Sequence, residues 1–106
     1  MGLYLLHGSY SADGTKGLLK DGGSKRRAAV ESLVQQVGGK VHAAYFALGD
    51  SDFYIVADVP DTVAAVAISM AVNATGAVRV KTTPLLTPEE LDTAAKKTIQ
   101  YRAPGA

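Results

Sequence analysis

In residues 52–59, DFYIVADV, alternate positions sort into two sets: Phe53, Ile55, Ala57 and Val59 on one side, Asp52, Tyr54, Val56 and Asp58 on the other. A period of two is that of a half-buried strand, with the wholly apolar set turned toward packing helices. The run KVHAAYFALG (40–49) precedes it, separated only by Asp50-Ser51, so the spacing predicts a tight hairpin. Asp-Ser lacks the glycine that two-residue turns favour, and an Asx-type corner is the expected geometry.

The flanking segments extend this hairpin in both directions. LYLLHGSY (3–10) is a short apolar and aromatic run ending in turn chemistry, which predicts a buried strand. The glycine-rich SADGTKGLLKDGGSKRR predicts a short helix near Thr15–Lys20 that stops at Gly22-Gly23. Ser24 is then expected to cap a second helix carrying Val30, Leu33, Val34 and Val37, closed by Gly38-Gly39. Pro60-Asp61 ends the DFYIVADV strand, and Asp61 caps an alanine-rich helix to about Val72, with Asn73 and Gly76 as stop signals. AVRVKTT (77–83) alternates as a strand that Pro84 is expected to terminate. In TPEE, Thr87 is the cap, Pro88 the first helical residue and Glu90 the capping-box carboxylate of a helix expected to reach about Gln100.

The resulting order, βαββαβ with an added C-terminal helix, is the split βαβ pattern of a ferredoxin-like α+β fold, expected as a single domain over residues 1–106. Its four-stranded antiparallel sheet carries helices on one face only. An uncovered apolar face calls for a second sheet, so a homodimer or higher assembly is expected.

Composition narrows the function classes. Eleven Lys and Arg against ten Asp and Glu give no general attraction to nucleic acid or to an anionic membrane. With no cysteine there are no disulfides, thiolate nucleophiles or thiolate metal sites. MGLYLLHGSY has no basic leader and its apolar run stops at His7, so the cytoplasm is the expected location.

Strand alternation also places the polar residues. Arg79, Lys81 and Thr83 are expected on the open face, opposite Val78, Val80 and Thr82. His7 is placed there too, because an imidazole is costlier inside the helix-packed core. For residues 40–49 the phase stays open: Val41 and Tyr45 share one side, His42 and Phe46 the other. With strand order 4-1-3-2, His7, Asp52, Tyr54, Arg79 and Lys81 become candidate ligand-binding residues on one face. Two cations beside an imidazole and a phenol suit a carboxylate, enolate or phenolate. The plainer reading is that Arg79, Lys81, Asp52 and Asp58 form ion pairs that fix the register of a dimer.

Three other motifs carry less. Gly49-Asp50-Ser51 resembles a hydrolase nucleophile block, but His7 and His42 both precede Ser51, and no D-x-x-H companion follows. Asp50-Ser51-Asp52 offers a hard cation only two carboxylates. KDGGSKRR lacks P-loop spacing, since Gly23 stands where the lysine belongs, and reads as a solvated helix start.

Taken together, YLLHGSY, GLLKDGG, GGKVHAAYFALGDSDFYIV and NATGAVRVKTTPLLTPEE resemble the GYD domain family, small bacterial proteins of unknown function named for a Gly-Tyr-Asp signature. The resemblance covers nearly the whole chain, and the KTTPLLTPEE block is its most specific part. The signature falls on Gly49 to Asp52, with Ser51 in the tyrosine slot. The resemblance implies a ferredoxin-like fold of the dimeric α/β-barrel kind and brings no catalytic residues to transfer. Relatives at the level of fold include cofactor-independent monooxygenases, muconolactone-isomerase-like proteins and small-molecule sensors.

Three functional readings remain open from sequence. The first is a homodimeric domain binding a small organic anion; the second an enzyme of monooxygenase or isomerase type with His7 as general base and Tyr54 as a further catalytic candidate; the third an assembly module without a pocket. No metal, heme or flavin is demanded by any of them.

Overall fold

The computed structural model describes residues 2–106. Strands β1 (Gly2–Tyr10), β2 (Lys40–Phe46), β3 (Phe53–Val59) and β4 (Val78–Leu85) form one antiparallel sheet in the order β2-β3-β1-β4. Helices α1 (Ala12–Asp21) and α2 (Gly23–Gln36) connect β1 to β2, α3 (Thr62–Ala74) connects β3 to β4, and α4 (Pro88–Ala95) follows. The fold is therefore α+β, with a four-stranded open sheet and four helices.

The core lies between one sheet face and the helices α2 and α3. Leu6, Phe53, Ile55, Ala57, Val59, Val78 and Val80 turn inward onto Val34, Ala65 and Ile68. Val34 and Val59 are almost completely enclosed. Phe53, Ile55, Ala57 and Val59 thus face the helices, as their alternation requires, and Arg79 and Lys81 of β4 stay exposed. Burial of Leu6 sets the phase of β1, which puts Leu3, Leu5, His7 and Ser9 on the open face.

Several local expectations change. Helix α1 begins at Ala12 rather than near Thr15, because the Ser11 hydroxyl accepts from the Gly14 amide and supplies the cap. Ser24 does not cap α2; Gly22, at φ 84°, turns the chain between the two helices and leaves α2 without a side-chain cap. Asp61 caps α3 as expected, accepting from the Ala64 amide at 2.8 Å. Thr87 and Glu90 form the full capping box of α4, yet that helix stops at Ala95, well short of Gln100. Every residue from Pro88 onward is exposed, so no packed face stabilises further turns, and short helices are marginal on propensity alone.

The hairpin also differs. β2 ends at Phe46 and β3 starts at Phe53, so residues 47–52 form a six-residue loop rather than a two-residue corner. Its ends are closed by the Ala47 amide donating to the Asp52 carbonyl at 2.8 Å. The Asp52 amide in turn donates to the Gly8 carbonyl at 2.7 Å, folding the loop onto β1.

Strand β4 is an edge, and it is guarded. The Asn73 side chain donates to the Val80 carbonyl at 3.3 Å and accepts from the Val80 amide at 2.8 Å, pairing that peptide as a neighbouring strand would. If Val80 points its backbone outward, so does Pro84 four positions on, and a missing N–H there costs nothing. This is why Pro84 does not end the pairing but lies within it, opposite Tyr4. Removing the Asn73 clamp frees an edge peptide as well as two bonds. Asn73→Ala is expected to cost about 1–2 kcal/mol in chemical denaturation, with Asn73→Asp, which keeps only the acceptor, in between.

Candidate functional site

The strand register builds the site. Tyr45 lies opposite Tyr54, Tyr54 opposite His7, and His7 opposite Lys81, so one row crosses all four strands on the open face. The His7 and Tyr54 rings stack at 5.8 Å with an interplanar angle of 8°. One step along, Ser9 is opposite Arg79; one step the other way, Ala43, Val56, Leu5 and Thr83 form an uncharged, mostly apolar row. Beyond these lie Lys40, Asp58, Leu3 and Leu85.

A bulge decides the phase of β2. The register slips between Val41 and Ala43, with His42 as the extra residue. Val41, Ala44 and Phe46 consequently share the helix side with Ala57, Ile55 and Phe53, while Tyr45 joins the open face. Strict alternation would have put Val41 and Tyr45 on one side, which is why Tyr45 escaped the candidate set. His42 itself lies 3.7 Å from the Asp58 carboxylate through Nε2.

The five candidates do not form one cluster. His7, Tyr54 and Lys81 share the row, and Arg79 stands beside it next to Ser9. Asp52 is committed elsewhere: its Oδ2 accepts from the Tyr10 amide at 3.0 Å, tying the 47–52 loop to the end of β1. Among the described residues neither Arg79 nor Lys81 makes an ion pair; the salt bridges are Arg27 with Glu31 and His42 with Asp58. The expected pairs of Arg79 and Lys81 with Asp52 and Asp58 are thus not made within one chain. Both cations line a cleft of about 660 Å³ between the 47–52 loop and β4, together with Ser9, Asp50 and Ser51.

Ser51 acquires a partner that chain order had seemed to deny it. His7 Nδ1 and Ser51 Oγ are 3.1 Å apart and hydrogen-bonded, with the donor set by the imidazole tautomer. Serine and histidine are brought together by fold, not by sequence order, so the position of His7 upstream of Ser51 is no obstacle. Burial argues against a nucleophile all the same: Ser51 is only 7% exposed, and no carboxylate hydrogen-bonds His7. What the bond does is fix the imidazole and the loop against each other. Among the described residues no group of three or more His, Asp or Glu side chains could hold a metal ion.

The family model for the GYD domain matches residues 4–95, from the first strand through the last helix. The chain belongs to the GYD domain family. No curated protein and no solved structure matched it. The Gly49–Asp52 segment lies in the loop that carries both the Asp52 and the Ser51 anchors. No helix is long and apolar enough to cross a membrane among the described residues.

Proposed function

We propose that this GYD domain is a cytoplasmic homodimer of ferredoxin-like subunits whose open sheet faces meet as an α/β barrel and enclose a small organic anion. The observation that carries the reading is the row Tyr45–Tyr54–His7–Lys81, with Arg79 adjacent. Two cations without intrachain partners, a fixed imidazole and two phenols offer complementary charge and hydrogen bonds to a carboxylate, enolate or phenolate. The uncharged, mostly apolar row Ala43–Val56–Leu5–Thr83 supports contact with another sheet.

Static light scattering at micromolar concentration should give twice the 11.0 kDa of one chain. With para-nitrophenolate as probe, Lys81→Ala and Arg79→Ala should each weaken binding about tenfold or more while leaving that mass unchanged. Unaltered affinity in both variants would remove the site.

The His7 geometry favours a second reading, an enzyme working by proton transfer. Ser51 engages Nδ1, and Nε2 makes no hydrogen bond among the described residues, which suits an imidazole presenting one nitrogen to a substrate. Turnover that vanishes in a folded His7→Ala chain is the outcome that supports this version.

A further inference from the structure

On the side of the sheet opposite the His7 row, a cleft of about 320 Å³ opens between the first turn of α2 and the edge strand β2. Its volume is at the lower end of small-molecule sites, roughly 300–1,000 Å³. Tyr10, Phe46 and Phe53 supply aromatic walls, with Val30 and Ile55 behind them. The rings of Tyr10 and Phe53 meet at 5.4 Å and 50°. Phe46 pairs with Phe53 across the strands, yet it is 49% exposed where Phe53 is 5%. The covering helix is thin at this point because α2 starts with Gly23; a Cβ there would sit 3.0 Å from the Phe46 ring.

One polar group stands out among these apolar walls. The Nε of Arg26 is buried and makes no hydrogen bond, and its guanidinium carbon lies 5.9 Å from the Tyr10 ring centroid. Its neighbour Arg27 is occupied by Glu31 at 3.6 Å, whereas Arg26 has no acidic partner among the described residues. No Asp or Glu lines the cleft, and Gly23 and Ser24 of the first turn of α2, which no side chain caps, border the same mouth.

We propose that this cleft binds a small aryl carboxylate, its ring between Phe46 and the Tyr10–Phe53 pair and its carboxylate held by the terminal Nη groups of Arg26. A guanidinium edge matches the two oxygens of a carboxylate, and a single unpaired cation balances a monoanion. A phosphate dianion would bring more charge than one Arg26 answers and no apolar body to fill the aromatic walls. Tyr45, at the edge of the sheet, borders this cleft as well as the His7 row; His7, Tyr54 and Lys81 do not line the cleft.

The test is titration of the full chain with naphthoate, followed by calorimetry and by NMR of the amides and the Arg26 Nε–H, with naphthalenemethanol and inorganic phosphate as comparators. Naphthoate should shift Arg26 Nε–H and the amides of Gly23 and Phe46 saturably. Arg26→Gln should weaken binding about tenfold or more, and the neutral alcohol should bind the unaltered chain weaker by a similar factor. Arg26→Lys keeps the charge but loses the planar edge, and should fall between. Because the open face would also take a carboxylate, occupancy of this cleft is read from the shifts of Arg26 Nε–H and of the Gly23 and Phe46 amides alone, which separates the two sites. Absence of saturable shifts at millimolar naphthoate, equal affinity for the alcohol or for phosphate, or full affinity in a folded Arg26→Gln or Arg26→Lys chain would overturn the assignment.

Discussion

Gly8→Ala should lower the melting temperature by about 15–30 °C, read by circular dichroism. A Cβ at residue 8 would lie 1.8 Å from the carbonyl oxygen of Arg79 and 2.8 Å from its carbon, far inside van der Waals contact. Both colliding groups are backbone, so no side-chain rotation relieves the overlap. Strands β1 and β4 must separate, and the same shift disturbs the Gly8 carbonyl that accepts from the Asp52 amide. Overpacking in a tight core typically costs about 1–3 kcal/mol, and a backbone collision belongs at or above the top of that range. Domains of this kind hold only about 5–15 kcal/mol in all. Gly17→Ala is the matched control: nothing lies within 4 Å of its Cβ position in α1, so it should stabilise by about 0.5–1 kcal/mol through helix propensity. Equal melting temperatures for the two variants would contradict the close approach of β1 and β4.

Val56→Asp should convert the proposed dimer to a chain of 11.0 kDa in light scattering, with its fold retained. Val56 sits at the centre of the open face, between Ala43 of β2 and Leu5 of β1. In a single chain it is only half-buried, so a carboxylate there stays hydrated and the helix-side core is untouched. In a twofold interface the substitution enters twice, and burying a charge without a partner costs several kcal/mol per copy. The melting transition of the monomer should therefore remain cooperative while the assembly is lost. A dimeric mass in Val56→Asp would mean that copies meet through a surface other than the sheet.

The parts of this fold legible in sequence are those governed by one rule at a time. Alternation in DFYIVADV and AVRVKTT sorted residues correctly between helix side and open side, and Asp61 and Thr87 announced their helices through their own side chains. What stayed hidden depends on contacts far apart in the chain. The bulge at His42 reverses the phase of Tyr45, and no local signal marks it. Asn73 looks like a helix stop, but its amide serves a strand seven residues later. Ser51 and Asp52 look like a turn or a carboxylate cluster, whereas both are spent on anchoring a loop to β1, more than forty residues away. The Arg26 cleft is likewise hidden, because it exists only where α2 packs against β2.

The exposed segment that follows β4 governs how the molecule moves through solution. The chain extends over 56 × 33 × 23 Å with a radius of gyration of 16.9 Å, against about 13 Å for a compact domain of this length. Such a particle meets more drag than its mass alone implies, and a single copy leaves a gel-filtration column early, in the position of a heavier sphere. Friction and mass are decoupled in this protein, so a sedimentation or elution radius reports the reach of the C-terminal residues as much as the number of subunits.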